Sequence, residues 1–232
     1  WRAVYFLLAL TTPIVIIPLA ILLRRQVSAQ TAQISDKASE SKRKRMAVTS
    51  NILIFLLSLA GLGCCVAMSM PQVHIVAFCV DLGYGPTAGS EMLSLMLFGG
   101  IISRLISGMT ADWLGGINTL LIGSTLQCVS LFLYLPFDGL VPLYMVSLVF
   151  GLSQGGIVPS YAIIVREYLP SASAGEKIGL VMMTTILGMA LGGWMSGWIY
   201  DVTGSYKIAF SNGILWNFIN ISIVLFLLIS SK

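Results

Sequence analysis

The stretch FGGIISRLISGMTADWLGG, residues 98–116, decides the fold of this chain, because it places one arginine inside an apolar helix. The arginine is Arg104, and the stretch ends in the pattern Gly108-x-x-x-Asp112-x-x-Gly115. Insertion scales give a cost of about 2.5 to 3.5 kcal/mol for an arginine at the centre of a membrane helix, so such residues usually face a bundle interior or a wet cavity. We therefore expect Arg104 to point into a helical bundle.

The composition places the whole chain in a membrane. Hydrophobic residues make up 57% of the sequence and charged residues 9%, with a mean hydropathy of +0.92, whereas soluble domains carry about 25% charged residues. A span needs about 20 apolar residues to cross the hydrocarbon core. The sequence predicts an all-α integral membrane protein with seven spans, at about residues 1–23, 48–80, 87–111, 118–135, 141–165, 178–200 and 206–229.

One polar insert divides the chain. Residues 24–46 carry seven Lys or Arg against Asp36 and Glu40, and the positive-inside rule places such a loop in the cytoplasm. We interpret its basic run at 41–45 as a solvated linker near anionic lipid. Because one span precedes the insert and the chain starts without Met, we expect a fragment. It would comprise the last helix of an N-terminal bundle at 1–23, a basic cytoplasmic central loop at 24–46, and a six-helix C-terminal bundle at 47–232.

An internal repeat lies within the six-helix part. Residues 107–115 align with residues 196–204, both reading Ser-Gly-x-x-x-Asp-x-x-Gly, and Gly99 aligns with Gly188. Each copy ends the second helix of a three-helix unit, and the alternation of spans puts the two copies on opposite sides of the membrane. This is typical of the inverted repeats of secondary transporters, which bind substrate where the repeats meet. We expect repeats at about 47–140 and 141–232.

At these residues the sequence resembles the major facilitator superfamily. The pattern from Gly108 to Gly115 is similar to the loop motif that follows the eighth helix of that family, and residues 24–46 are similar to its central loop. The resemblance implies a fragment that holds helices six to twelve. The family motif normally carries basic residues after its Asp and its last Gly, but this chain has Trp113, Gly116 and Ile117, so a charge relay through the loop is not implied.

Within the superfamily the chain resembles the monocarboxylate-transporter and oxalate/formate-antiporter group, through residues 73–78, 81–83, 103–108 and 200–206. In that group the arginine at the position of Arg104 pairs with the substrate carboxylate. The resemblance implies a secondary carrier of a small organic anion that works by alternating access. Residues 178–200 contain no Lys or Arg, so one cation favours a monocarboxylate over a dicarboxylate. Animal carriers place an Asp where this chain has Gly100.

Physical position also fits Arg104 for this role. It lies eight residues before Asp112, about 12 Å up the helix from its end at 1.5 Å per residue. A guanidinium offers a planar fork that matches a carboxylate. The alternative is a structural arginine that binds helix carbonyls or a carboxylate of the rest of the protein.

Four further side chains are candidates for the substrate site. His74 follows Pro71, which should kink or break its long helix, and a histidine can bind substrate or a proton. Gln154, Tyr161 and Thr184 offer neutral hydrogen-bonding groups. For each of these, contact between helices is the alternative role. We read the asparagines of the last helix, Asn217 and Asn220 among them, as packing contacts.

Four residues are candidates for gating: Gly108, Asp112 and Gly115 in the first copy of the repeat, and Asp201 in the second. Glycine permits close helix contact, and a carboxylate at the membrane edge can meet the N-terminus of a neighbouring helix. We expect Asp112 to bind the free N–H groups at the start of the helix near residues 175–178, or Arg166 or Lys177.

The remaining patterns limit the function. Cys64, Cys65, Cys79 and Cys128 have neither disulfide-framework nor zinc spacing. Phosphate-binding and nucleophile motifs are absent from the sequence, and the basic insert lacks the aromatics of a nucleic-acid site. We expect no enzyme activity, cofactor or nucleic-acid partner. The expected partners are the plasma-membrane bilayer, the N-terminal bundle, a small carboxylate and a coupled proton or counter-anion. A seven-helix receptor or retinal-type protein is the alternative.

Overall fold

The computed structural model describes residues 2–22, 29–46 and 48–231. Trp1, Leu23, Arg24 and Arg25 lie outside the described residues, as do 26–28, 47 and 232. The described chain is helical, in the order α1 Arg2–Leu22, α2 Ala29–Arg45, α3 Ser50–Asp81, α4 Gly85–Leu114, α5 Gly116–Leu133, α6 Leu140–Gln154, α7 Ile157–Tyr168, α8 Ser171–Thr203 and α9 Tyr206–Ser230. Within the described ranges seven helical segments are long and apolar enough to cross a membrane, with α6 and α7 together forming one of them. The predicted all-α membrane architecture is confirmed.

The chain divides into two compact units, residues 1–35 and 36–232. The first contains α1, whose described residues are all exposed. The second contains α3 to α9 together with the part of α2 from Asp36 onward. Residues 36–45, which the sequence assigned to a solvated loop, are therefore helical and belong to the same unit as the bundle. We call the end of the bundle that holds Ser50, Gly116 and Ser171 the α2 end.

The structure breaks a different span from the one that the sequence predicted to be kinked or broken. α3 is not broken at Pro71 and continues for 32 residues. Pro71 is buried, and packing by neighbouring helices allows proline inside membrane helices. The break occurs instead at Gly155–Gly156, between α6 and α7.

Glycines explain why the α6–α7 span lies so close to α4. A Cβ atom on Gly155 would collide with the backbone of Gly100, and one on Gly151 would collide with the backbone of Met96. Such positions accept only glycine, because small residues let helix backbones approach. The close approach brings the break directly against the helix that carries Arg104.

The two halves of the bundle pack on each other reciprocally. In α4, the middle helix of the first half, a Cβ on Gly99 would lie 3.0 Å from the backbone nitrogen of Leu152 in α6. In α8, the middle helix of the second half, a Cβ on Gly188 would lie 2.5 Å from the Leu62 carbonyl oxygen in α3. Each middle helix thus packs through the aligned glycine on the first helix of the other half. The inverted three-helix repeat itself stays a prediction of the sequence.

The last glycine of each repeat copy has the same structural role. Gly115 ends α4 with φ of 83°, and Gly204 ends α8 with φ of 66°. Positive φ is strained for residues with a Cβ, so glycine is favoured at this point after a helix. Both copies therefore end a helix at a glycine with positive φ, but ψ differs, at 164° for Gly115 and 18° for Gly204.

A buried network of polar side chains joins α5, α7 and α9. The Asn217 side-chain amide donates to the Ser124 carbonyl oxygen at 3.0 Å, and the Asn220 amide donates to Ser124 Oγ at 2.8 Å. The Tyr161 hydroxyl donates to Asn220 Oδ1 at 3.0 Å. These bonds join α5, α7 and α9, and they satisfy polar groups that neither lipid nor apolar packing can satisfy.

Candidate functional site

Arg104 projects from α4 towards the break between α6 and α7. Its Nε donates a hydrogen bond to the carbonyl oxygen of Gly155 at 3.3 Å. In a continuous helix that carbonyl would accept from the residue four positions later, but this residue is Pro159, which has no N–H. The sequence therefore leaves a carbonyl free at the break, and Arg104 binds it.

The rest of the guanidinium remains available. Among the described residues Arg104 has no carboxylate partner, and its two terminal nitrogens make no hydrogen bond. An arginine has five N–H donors in a planar fork, and the single bond to Gly155 uses one of them. The bond at Nε fixes the plane of the group while the fork that matches a carboxylate stays open.

Arg104 lines a cavity of about 280 Å³ between α3, α4 and the α6–α7 break. It is exposed in the described chain, so it lies at the surface of this bundle and not in its buried interior. Gln154 and Gln72 supply the other polar side chains of the cavity, and Met68 and Met96 contribute to its apolar walls. Gln154 is only 4% exposed, and its Oε1 has no hydrogen-bond partner in the described part of the chain. One cation and two neutral amides suit a small planar anion, because the planar fork of a guanidinium matches a carboxylate and an amide can donate a further hydrogen bond.

The structure thus brings together two of the predicted substrate residues, Arg104 and Gln154, and adds Gln72, which the sequence analysis missed. A signal for Gln72 was present: it lies four residues after Met68, on the same helical face, inside an otherwise apolar run. His74, the residue that the sequence favoured in this helix, does not share that face. His74 is two positions further, about 200° around the helix at 3.6 residues per turn.

His74 lies in a different environment, between α3, α8 and α9. Its Nε2 is 2.9 Å from the carbonyl oxygen of Gly193, and its ring centroid is 5.5 Å from that of Tyr206. Tyr206 in turn stacks on Tyr200 at 4.1 Å. The structure does not place His74 at the Arg104 cavity.

Tyr161 and Thr184 are also apart from Arg104. Tyr161 is fully buried, and its hydroxyl takes part in the polar network with Asn220. The Thr184 hydroxyl donates to the Val181 carbonyl oxygen of its own helix at 2.7 Å. Thr184 lines a second, larger cavity of about 500 Å³ between α3 and α8, which has largely apolar walls and contains Lys177. We favour the smaller cavity as the site, because Lys177 lies 3.5 Å from Glu176 whereas the Arg104 fork is open.

The predicted gating residues lie at helix ends. Asp112 is exposed near the end of α4, and within the described ranges it has no hydrogen bond or ion pair. A Cβ on Gly108 would meet nothing within 4 Å in the described chain. The Ser171 N–H, at the helix start that we expected Asp112 to bind, is bound by Asp36 of α2 at 2.8 Å. Asp201 is exposed at the other end of the bundle, next to Tyr200, whose hydroxyl donates to Asp81 at 2.8 Å.

Cysteines and other metal-binding side chains do not form a site in the described part of the chain. No group of three or more His, Cys, Asp or Glu residues is close enough there to hold a metal ion. All four cysteines are free and buried. The Cys64 thiol lies in a polar contact with Gln127 at 3.5 Å, which joins α3 to α5.

Comparison with known proteins shows the family of the chain. The sequence profile of the Major Facilitator Superfamily matches residues 1–175 and 80–231. Monocarboxylate transporter 13 of Rattus norvegicus is 30% identical over 143 residues, which cover 61% of this chain and 33% of that protein. A gallate transporter of Pseudomonas putida is 27% identical over 139 residues, 58% of this chain and 30% of that protein. The chain therefore spans about a third of the length of these relatives.

A solved structure shares the fold. The in meso crystal structure of the POT family transporter PepTSo superposes with a TM-score of 0.68 at 16% sequence identity, covering 77% of this chain and 38% of that one. At this identity the likeness concerns the fold alone. The profile match, by contrast, extends over nearly the whole sequence. This chain belongs to the Major Facilitator Superfamily.

Proposed function

We propose that this chain is part of a secondary carrier that moves a small monocarboxylate across a membrane by alternating access, with Arg104 pairing the substrate carboxylate. The observation that carries the proposal is the state of the Arg104 guanidinium. Its Nε is held by Gly155 at 3.3 Å, its terminal nitrogens have no protein partner in the described residues, and the residue lines a cavity. A preoriented, unengaged fork is suited to a carboxylate.

The charge of the cavity favours a single carboxylate. Arg104 is the only cation among the described lining residues, and the other polar groups, Gln72 and Gln154, are neutral. A second carboxylate would lack a partner there, and burying an unpaired charge is costly. Relatives named as monocarboxylate transporters support the same substrate class.

The alternative, an Arg104 that only stabilises the bundle, explains fewer of its contacts than substrate binding does. A purely structural arginine should find partners for most of its five donors inside the bundle. Here one donor is bound, to a carbonyl that Pro159 leaves free. The alternative of a seven-helix receptor is not supported, because the chain belongs to a transporter family.

The remaining parts of the carrier follow from this proposal. An N-terminal bundle, of which α1 is the last helix, would complete the substrate site, and residues 24–46 would lie in the cytoplasm as the positive-inside rule requires. The carrier would then operate in the plasma membrane with a coupled proton or a counter-anion. Asp112, Asp201 and their neighbouring glycines remain the proposed gating residues.

Competition by matched ligands tests the substrate class. Full-length carrier in proteoliposomes should take up a labelled small monocarboxylate, and the unlabelled acid should compete. The corresponding primary amide, with nearly the same shape but no charge, should compete at least tenfold less well, and so should a dicarboxylate of similar size. Equal competition by acid and amide would contradict pairing with Arg104.

A further inference from the structure

One face of α2 packs on the α2 end of the bundle. Asp36, Ser39, Arg43 and Met46 are spaced three or four residues apart, so they share one side of the helix. Each contacts the bundle, and Ser39 and Met46 are buried, at 5% and 6% exposure. Lys37, Lys44 and Arg45 are exposed. The basic insert therefore has a docked face, although its composition is that of a solvated linker.

Asp36 supplies the N-terminal cap of α8. Its Oδ1 accepts from the Ser171 N–H at 2.8 Å, and its Oδ2 accepts from the Ser171 hydroxyl at 3.1 Å. The first N–H groups of a helix need an acceptor, usually the side chain of the N-cap residue. Here that residue is Pro170, which has no acceptor. A carboxylate from α2 takes its place and also interacts favourably with the helix dipole.

The same face of α2 binds the end of α7. Ser39 Oγ donates to the Arg166 carbonyl oxygen at 3.2 Å, and Lys42 Nζ lies 3.9 Å from Glu167. The Glu167 carboxylate also accepts from the Gly116 N–H, at 3.3 Å to each oxygen. Gly116 begins α5 after a glycine, which offers no side-chain cap. α2 and Glu167 together tie the ends of α5, α7 and α8.

The two ends of this contact are unequal in strength. At one end, Met46 belongs to the apolar core, and Arg43 donates to Ser50 Oγ at 3.1 Å, close to it in the chain. At the other end, the Asp36 contact with Ser171 is polar and exposed. Exposed charged contacts are individually weak and are screened by salt. The helix therefore has an anchored end at Met46 and a releasable end at Asp36.

The position of α7 gives this contact a route to the candidate site. α7 has only 12 residues, about 18 Å at 1.5 Å per residue. It begins just after Gly155, which binds Arg104, and it ends at Tyr168, beside the residues that α2 holds. One short helix therefore joins the end that α2 holds to the break at Gly155.

We propose that residues 36–46 form a releasable strap, which holds the ends of α7 and α8 in one transport conformation and frees them in another. The inference rests on the proposed carrier function. The strap sets the rate of the conformational step, and none of its residues lines the Arg104 cavity. Release starts with the loss of the Asp36 contact, and the strap then swings about Met46, which stays packed in the core.

Cross-linking tests whether the strap must open. In the full-length carrier, with any reactive cysteines outside residues 1–232 replaced, Asp36→Cys and Ser171→Cys are combined and joined by a short reducible bis-thiosulfonate. The four native cysteines of this chain are buried, and each single variant with the reagent serves as the control. We expect the cross-link to slow uptake at least tenfold and reductant to restore it. Uptake at the unlinked rate after complete cross-linking would overturn the proposal, because the strap would then be a fixed part of the bundle.

Charge removal provides a second, reagent-free test. Asp36→Ala should change the uptake rate at least threefold while the substrate Kd stays within twofold, and it should speed hydrogen exchange in the first turn of α8. Lys37→Ala, on the exposed face, is the matched control and should leave all three unchanged. An unchanged rate in Asp36→Ala, or a Kd that shifts with the rate, would overturn the strap. Loss of binding in Arg104→Ala beside a normal Asp36→Ala would leave the proposed function intact while removing the strap.

Discussion

Arg104 binds the Gly155 carbonyl oxygen through Nε at 3.3 Å, at the position where Pro159 leaves that oxygen without its helical donor. The contact links a sequence feature to the geometry of a candidate site. Proline removes an N–H from the helix, the freed carbonyl binds the guanidinium, and the terminal fork keeps its donors free within the described residues. Each part of this relationship can be altered separately.

Pro159→Ala should weaken substrate binding. The new N–H would compete with Arg104 for the Gly155 carbonyl, so the guanidinium would lose its orienting bond. We expect substrate Kd to rise several-fold without loss of folded protein, as measured by equilibrium binding to purified full-length carrier. Pro142→Ala, in the first turn of α6 where proline removes no helical bond, is the control and should bind normally. Normal binding in both variants would argue against the orienting role of Gly155.

Gly188→Ala should destabilise the bundle, because its Cβ would lie 2.5 Å from the Leu62 carbonyl oxygen. Overpacking of this kind costs about 1 to 3 kcal/mol. Gly179→Ala in the same helix meets nothing within 4 Å, and replacing a helical glycine there should be neutral or stabilising by up to about 1 kcal/mol. Thermal unfolding in detergent measures both. A Gly188 variant as stable as the Gly179 variant would contradict the reciprocal packing of the two halves.

Tyr161→Phe separates two roles for that tyrosine. If the hydroxyl serves the polar network with Asn220, its removal should cost about 0.6 kcal/mol, the average measured for hydrogen bonds between membrane helices, and at most about 1.7 kcal/mol. Substrate Kd should stay unchanged. If it contacts substrate, as the sequence suggested, Kd should rise while stability changes little. Combined unfolding and binding measurements on the one variant decide between them.

Asp112→Asn tests the gating role that the sequence suggested. Asp112 is exposed at the end of α4 and, within the described ranges, unpartnered, so a contact made in another conformation would be lost on neutralisation. A helix-end charge contact is worth about 0.3 to 1 kcal/mol, which predicts a change in uptake rate of about two- to fivefold and an unchanged Kd. A rate equal to that of the unmodified carrier would remove Asp112 from the gating mechanism.

The spans could be predicted from the sequence, because a helix that crosses the hydrocarbon core needs about 20 apolar residues in a row and such runs are visible in the sequence. The sequence also named Arg104 and Gln154 among five candidate substrate residues, since polar groups in membrane helices usually face the interior of a bundle, and these two lie at one cavity. It did not separate Gln72 from His74, because the side of a helix that faces a cavity depends on its neighbours. The helix break at Gly155 could also have been predicted from the sequence, because Gly155 and Gly156 are followed by Pro159.

The packing of α2 against the bundle could not be predicted from the sequence. Residues 36–46 have the composition of a solvated linker, and the caps that they supply act on helices more than 120 positions away in the chain, as from Asp36 to Ser171. Local patterns identify a helix start through its own N-cap residue. Pro170 and Gly115 give no such signal, and only the folded arrangement shows which carboxylates replace them.

Equilibrium binding of a labelled monocarboxylate to purified full-length carrier tests the central claim most directly. A charge-assisted bond to a carboxylate contributes about 1.5 to 3 kcal/mol, so Arg104→Ala should weaken binding by roughly 10- to 150-fold. Arg104→Lys keeps the charge but loses the planar fork, and it should still bind about tenfold more weakly. Lys177→Gln, in the larger cavity, is the control and should bind as the unmodified carrier does. A folded Arg104→Ala carrier that binds within twofold of the unmodified protein would contradict the assignment of Arg104 to the substrate carboxylate.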